Sequence, residues 1–317
     1  MAKILPPSDI DLICETLKSG EPCALPTETV YGLAAPALNA EAVNKIFALK
    51  GRPNYDPLIV HISDLSQLQE VTAPLGPLQE TTDLLIKRFW PGPLTLVLPK
   101  STKVPGVVTS SLDTVGVRMP AFELMRKVIR EVGPLAAPSA NLFGGISPTQ
   151  ALHVEKELGT KVRYILDGGA CSVGLESTVI RVEEKSVTLL RPGGVSVESL
   201  EAVVSVNLNP TQEIRSPGQL DRHYSPRKNL LLLNHPIEHE DSQKRIQSLG
   251  VQHIGLLTPI KREWSLGPQR VYTAHSLYND LRILDEDPNV EYLVAEPTQT
   301  VDLGRALMDR LKRASQS

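Results

Sequence analysis

Several short stretches of this chain stop an apolar run on side chains that could do chemistry. Residues 24–33 read Ala-Leu-Pro-Thr-Glu-Thr-Val-Tyr-Gly-Leu. The run Cys23, Ala24, Leu25 meets Pro26, which cannot donate to a sheet ladder and so marks a strand's end. Thr27, Glu28 and Thr29 follow at once, and Gly32 permits a tight bend or a close backbone approach. A strand ending on hydroxyls and a carboxylate presents polar groups at a sheet's carboxyl edge, where open α/β sheets bind ligands. The same residues also suit a capped turn, with Thr27 or Thr29 as helix N-cap.

Lys50 and Arg52 stand one residue apart on a turn broken by Gly51. Two cations so placed can bracket one phosphate chain, although a solvated helix end reads the same way. The sequence lacks the P-loop pattern G-x-x-x-x-G-K-[ST], so a bound nucleotide would have its phosphates held by side chains. His61 closes the apolar run Leu58-Ile59-Val60, and Arg118 closes Val115-Gly116-Val117. Ser139 and Asn141 follow Leu135-Ala136-Ala137; both residue types also make good helix caps. His235 and His239 stand four apart beside Glu238 and Glu240, but with no third ligand apparent they do not read as a metal site.

The elements that must position these groups follow from patterning. A helix is expected over 8–18 with Ser8 as N-cap, then a strand into Pro26 and a helix over 41–49 capped by Asn39. A buried strand over 57–62 and a helix over 77–89 come next, broken by Pro91-Gly92-Pro93. Strands are expected over 94–98, 115–119, 135–138, 162–166, 178–182 and 187–191. Helices are expected from Pro120 to about Val132, over 149–158 and over 196–203. This irregular alternation predicts an α/β (α+β) fold with a mixed sheet. Residues 205–228 turn polar and Pro-containing, which reads as a linker. Beyond it, strands over 230–233, 254–258, 271–272 and 292–295 alternate with helices over 241–249, 275–285 and 302–314, a small parallel βαβ domain. It has no G-x-G-x-x-G and is assigned no dinucleotide.

At 317 residues there is room for two domains. Hydrophobic and charged contents of 41% and 22% are those of a soluble globular chain. There is no apolar run of membrane-spanning length and no signal-peptide core, so a cytoplasmic protein is expected. Cys14, Cys23 and Cys171 are three, without a C-x-x-C pair, which fits reduced thiols. The net charge of -3 offers no global attraction to nucleic acid, leaving room only for a weak, local RNA contact.

Read together, the 24–33 stretch, Lys50-Gly51-Arg52-Pro53 with Asp56-Pro57-Leu58-Ile59-Val60-His61, Ala137-Pro138-Ser139-Ala140-Asn141 and Leu190-Arg191-Pro192-Gly193 resemble the YrdC/YciO family. Its best-known members are threonylcarbamoyl-AMP synthases. The resemblance spans about residues 5–205 and extends to the C-terminal part. It implies a twisted mixed sheet with an open concave face over 1–205, a linker over 206–228 that folds back as a lid, and a Rossmann-like domain over 229–317. It further implies that Lys50 and Arg52 are catalytic and that Thr29, His61, Arg118, Ser177 and the Ala137 backbone contact L-threonine. ATP would meet Lys50, Arg52, Asp56, Thr114, Ser139, Ser147 and Arg191, with Mg²⁺ carried on its phosphates. Arg118 suits a carboxylate, which a guanidinium can take bidentately. Asp56 stands where many relatives have asparagine, and Gln219-Leu220-Asp221 departs from the usual linker.

The implied reaction adds bicarbonate to the threonine amine, and the resulting carboxylate attacks the α-phosphate of ATP and expels pyrophosphate. A downstream complex would pass the threonylcarbamoyl group to the adenosine beside a tRNA anticodon. Such chemistry asks for positioning, charge neutralisation and exclusion of water, not for a nucleophilic side chain. Residues 217–226 are expected to form the lid, with His223 or Tyr224 near the nucleotide. Two other readings remain: an RNA-binding module, and a carbamoyl-transfer maturation enzyme, whose extra zinc-finger-like and acylphosphatase-like segments are not visible here.

Overall fold

The computed structural model describes residues 1–209 and 224–316. The first part runs β1 (Lys3–Leu5), α1 (Ile10–Lys18), β2 (Cys23–Leu25), β3 (Gly32–Pro36), α2 (Ala40–Lys50), β4 (Ile59–His61), α3 (Leu65–Val71) and α4 (Gln79–Phe89). It continues through β5 (Leu94–Pro99), α5 (Gly106–Thr109), β6 (Thr114–Arg118), α6 (Glu123–Val132), β7 (Leu135–Ala136) and α7 (Ala151–Leu158). β8 (Tyr164–Leu166), β9 (Thr178–Val182), β10 (Ser186–Arg191), α8 (Val197–Glu201) and β11 (Ser205–Asn207) complete it. Later come β12 (Leu230–Leu232), α9 (Glu240–Ser248), β13 (Ile254–Thr258), β14 (Gln269–Val271), α10 (Leu277–Glu286), β15 (Tyr292–Ala295) and α11 (Gly304–Ala314). Contacts divide the chain into one unit of Met1–Phe143 with Pro148–Gln219 and a second of Gly144–Ser147 with Leu220–Ser317.

The first unit is built on an 11-stranded mixed sheet in the order β1-β8-β2-β3-β7-β4-β6-β5-β9-β10-β11. Side chains alternate between its faces, so register decides which residues share a side. One face carries Leu33, Val60, Leu96, Val117, Ile180 and Leu189 into a continuous core beneath Val43 and Ile46 of α2, Leu85 of α4 and Val154 of α7. The other face is divided. Over β2, β3 and β7, Cys23, Leu25, Ala34 and Leu135 pack against Ile13 and Leu17 of α1 and Met125, Val128 and Ile129 of α6. Farther along that face Ile59, Val97, Val179 and Leu190 form a small apolar cluster of their own. Polar side chains surround it: pairing of Ile59 with Gly116 and of His61 with Arg118 sets His61 and Arg118 on that side. Pairing of Val97 with Gly116, and of Thr95 with Val179, adds Thr95.

The second unit has a four-stranded, all-parallel sheet in the order β12-β15-β13-β14, as its βαβ patterning predicts. Glu296, fully buried beyond β15, accepts from Ile237 N at 2.6 Å and Arg262 Nε at 3.0 Å. Tyr224 is fully buried, 5.7 Å from the Tyr278 ring and 4.9 Å from the Arg310 guanidinium. Of His223 and Tyr224, either of which was expected near a nucleotide, Tyr224 packs on these second-unit side chains, and His223 falls outside the described residues with most of the expected lid.

Some local expectations need correction. Ser8 is not an N-cap: Pro7–Asp9 forms a 3-10 turn fixed by the prolines, and Ser8 Oγ donates instead to Asp9 Oδ1 at 3.2 Å. No helix follows Thr29 or Ser139, so the capping readings fail there. Gly32 opens β3 instead of making a bend. It serves close approach, since a Cβ there would lie 3.1 Å from that of Ala137. The helix expected from Pro120 starts at Glu123.

Candidate active site

The turn after β2 is held by its own hydroxyls. Thr27 Oγ1 accepts from Thr29 N at 3.1 Å and Val30 N at 3.2 Å and lies 2.8 Å from Thr29 Oγ1. Tyr31, fully buried, anchors the far side by donating to Gly169 O at 2.8 Å while accepting from Gly168 N at 3.1 Å. The turn therefore presents Glu28 and Thr29 as fixed groups.

Both meet Arg118 at the end of β6. Its Nη2 pairs with Glu28 Oε1 at 2.5 Å, Nη1 donates to Thr29 Oγ1 at 2.8 Å and Nε donates to Gly92 O at 3.1 Å. Burial alone would raise the Glu28 carboxyl, but the guanidinium and the Ala121 N–H outweigh it and hold it below the usual range. The pair sits nearly dry, its side chains 4% and 6% exposed. Each terminal nitrogen of Arg118 keeps a second N–H, enough for a ligand carboxylate. His61 is in register beside Arg118, and burial, then the guanidinium's charge, push the ring down to about 3. It is thus a neutral imidazole at physiological pH, and its Nδ1 has no hydrogen-bond partner among the described residues.

The cationic pair lies at the end of α2, where Gly51 takes the left-handed conformation (φ 61°) that terminates the helix. Lys50 Nζ donates to Ser139 O at 2.6 Å and Asn141 O at 2.5 Å, tying the loop after β7 to the helix end. Burial, and secondarily Arg52, lower its ammonium to about 7. Arg52 pairs with Asp56 at 2.8 Å and donates to Pro57 O at 3.1 Å. These are buried, committed side chains, not a solvated helix end.

At the carboxyl side of the loop before β9, Ser177 is 1% exposed. Arg191 Nη2 donates to Ser177 O at 2.9 Å and to its Oγ at 3.2 Å, and Thr95 Oγ1 lies 2.8 Å from that Oγ. Pairing shifts by one residue between Leu189 and Arg191, which turns Leu190 and Arg191 toward this face. Gly193 permits the fit: a Cβ there would come within 2.4 Å of the backbone of Glu176, Ser177 and Thr178.

Thr29, His61, Arg118, Ser177 and Arg191 thus belong to one face of the first unit, and Lys50, Arg52, Asp56 and Ser139 form a second cluster of that unit. Ala137 is buried, its N donating to Ile59 O at 3.1 Å. Thr114 starts β6 on Arg118's face but four residues away, about 13 Å along the strand. Ser147 is fully buried in the segment Gly144–Ser147, which groups with the second unit. Glu28 and Thr95 were not among the predicted ligand contacts. Glu28 stood in the singled-out stretch, whereas a threonine inside the apolar run 94–98 gave no signal.

The two carboxylates of the first unit's clusters, Glu28 and Asp56, are each engaged by an arginine. That donor set does not favour a protein-held divalent ion, and fits one carried by nucleotide phosphates. In the second unit Asp241 supplies the third group beside His235 and His239 that sequence reading had missed. All three are exposed, and His239 caps the start of α9, where the helix dipole opposes a cation. Cys14, Cys23 and Cys171 are buried, and burial raises the last two thiols to about 12, so they are inert packing groups. A cavity of about 460 Å³ between α3 and α4, lined by Leu65, Leu68, Leu75 and Ile86, holds none of these groups.

The strand ends of this mixed sheet gather arginine, hydroxyls and a neutral imidazole, with a lysine at the end of α2, the side chains of a protein class that positions charged small molecules. Family models match along nearly the whole chain: the Sua5/YciO/YrdC model, described as telomere recombination, over residues 15–193, and the threonylcarbamoyl-AMP synthase C-terminal domain over residues 195–316. The chain belongs to the Sua5/YciO/YrdC family, in the form that carries this C-terminal domain. The threonylcarbamoyl-AMP synthase of Pyrococcus abyssi is 41% identical, covering 94% of this chain and 92% of its own length. That of Bacillus subtilis is 42% identical, covering 94% and 90%. The crystal structure of P. abyssi Sua5 complexed with L-threonine superposes with a TM-score of 0.87 at 37% identity, covering 99% of this chain and 96% of that one. Among the described residues no helix is long and apolar enough to cross a membrane.

Proposed function

We propose that this protein is a threonylcarbamoyl-AMP synthase, converting L-threonine, bicarbonate and ATP into L-threonylcarbamoyl-AMP and pyrophosphate. The observation that carries the reading is the register of His61 beside Arg118, with Glu28 and Thr29 fixing the guanidinium. A preset arginine with spare N–H groups receives the amino-acid carboxylate, and a neutral imidazole beside it offers a lone pair without competing charge. The threonine amine attacks the carbon of bicarbonate; water leaves and N-carboxy-threonine forms. A carbamate oxygen then attacks the α-phosphorus of ATP, the bond to the β-phosphate's bridging oxygen breaks, and pyrophosphate departs.

Lys50 and Arg52 are catalytic in this scheme through charge alone, the ATP phosphates keeping protonated an ammonium that burial lowers to about 7 without them. Clustered cations in a buried setting offset the negative charge that builds on the phosphates and leaving group. Ser139, Thr114, Asp56 and Arg191 are proposed as further ATP contacts, and Ser177 and the Ala137 backbone as contacts to L-threonine. Mg²⁺ would be held by the ATP phosphates, since Glu28 and Asp56 are paired with arginines, and would supply positive charge against the pyrophosphate leaving group. The product serves threonylcarbamoyl modification of tRNA beside the anticodon through a downstream transfer complex, in the cytoplasm.

The test is pyrophosphate release from ATP with Mg²⁺ and bicarbonate, scanning amino acids singly. Release should depend on L-threonine and fall at least about a hundredfold in Lys50→Ala, the scale set by removing one preorganised charge from a reacting phosphoryl group. Release indifferent to the amino acid would sink the assignment.

A further inference from the structure

Resting on the reading of Ser177 as a substrate contact, the hydrogen bonds around it say which way its proton points. A serine oxygen has two acceptor positions and one proton. Arg191 Nη2 can only donate, so its contact at 3.2 Å takes one acceptor position. The partner on the other side is Thr95 Oγ1 at 2.8 Å, where geometry alone allows either oxygen to be the donor.

Ser177 is as buried as Thr95, at 1% exposed, so the choice turns on the substrate contact: a bound amino acid can take the Ser177 proton, whereas nothing beside Thr95 but Ser177 can take its proton. Thr95 is fully buried, and among the described residues Ser177 is the only hydrogen-bond partner of its hydroxyl. If Ser177 donated, the Thr95 proton would be left buried without an acceptor, an arrangement that folded proteins avoid because its desolvation is not repaid. Thr95 therefore donates. Both acceptor positions of Ser177 are then filled, and its own proton must leave the network. The strand pairing sets Thr95 and Val179 side by side on the face that carries His61 and Arg118.

We propose that Thr95 is a positioning residue that makes Ser177 an obligate hydrogen-bond donor, selecting an acceptor oxygen of the bound amino acid or its carbamate and rejecting the amino group. The consequence fits the chemistry, because an amine that must attack bicarbonate cannot also be held by Ser177 as a donor. Thr95 touches no substrate and acts only through Ser177.

The experiment is a double-mutant cycle on the full chain, with L-threonine affinity read by calorimetry and ligand-free stability by urea unfolding. Thr95→Val keeps the shape and removes the hydroxyl, and should weaken L-threonine binding about three- to tenfold, the worth of one hydrogen bond. Thr95→Ser should restore affinity to within about twofold of wild type. In a Ser177→Ala background, Thr95→Val should change affinity by less than about twofold, because its only route of action is gone. An equal penalty in both backgrounds would mean a packing role and overturn the proposal, as would wild-type affinity in Thr95→Val. If wild type itself fails to bind L-threonine, the functional reading falls. The unfolding cycle then decides the network: Thr95→Val must lower the urea midpoint only when Ser177 is present.

Discussion

His61 was legible from sequence as a polar tip on an apolar strand, but its protonation state follows from neighbours that sequence does not reveal. Burial and Arg118 lower the folded pKa to about 3 against the ordinary 6.5. Between those values the unfolded chain binds a proton that the folded chain refuses, so stability is lost as pH falls through 6.5 toward 3. Urea unfolding at pH 7 and pH 5 should show wild type losing on the order of 2 kcal/mol more than His61→Gln over that interval. Parallel losses would mean that the imidazole is solvated. The pairing of Glu28 with Arg118 was similarly hidden. Their sequence positions lie 90 apart, and only the strand order brings the turn after β2 to the end of β6.

At the scale of elements, most strands and helices were legible because prolines and amphipathic spacing punctuate them. The exceptions have physical causes. Strand β3, Gly-Leu-Ala-Ala-Pro, is buried along nearly its whole length and so shows no alternation, while β1 and β11 are three residues each. Strand order, and the shift in β10 that turns Arg191, leave no local mark. One glycine carries much of the positioning: an added Cβ at Gly193 would strike the backbone at Ser177. Gly193→Ala should cost about 1–3 kcal/mol of stability, as overpacking does, and raise KM for L-threonine more than about tenfold. Asn39→Ala, which removes the side chain accepting from Glu41 N and Ala42 N at the start of α2, should cost about 1 kcal/mol and leave KM unchanged. Thermal melts with steady-state kinetics on both variants separate the two effects. An unchanged KM in Gly193→Ala would remove Ser177 from the threonine site.

For the whole molecule, contacts divide the chain into a mixed-sheet unit and a small parallel-sheet unit. The grouping of Gly144–Ser147 with the second unit was not legible, since nothing in Gly-Gly-Ile-Ser marks it. Within that unit Ser225 N donates to Gly144 O at 2.8 Å and Arg282 donates to Ile146 O, so a short loop is held by distant residues. The central claim is that this arrangement joins three small molecules in one product. Incubating the full chain with ATP, Mg²⁺, L-threonine and ¹³C-bicarbonate and taking the mass spectrum of the adenylate tests it most directly. The account predicts a threonylcarbamoyl-AMP that carries the ¹³C label and is absent when Arg118 is replaced by alanine. An unlabelled threonyl-adenylate, or AMP alone, would contradict it.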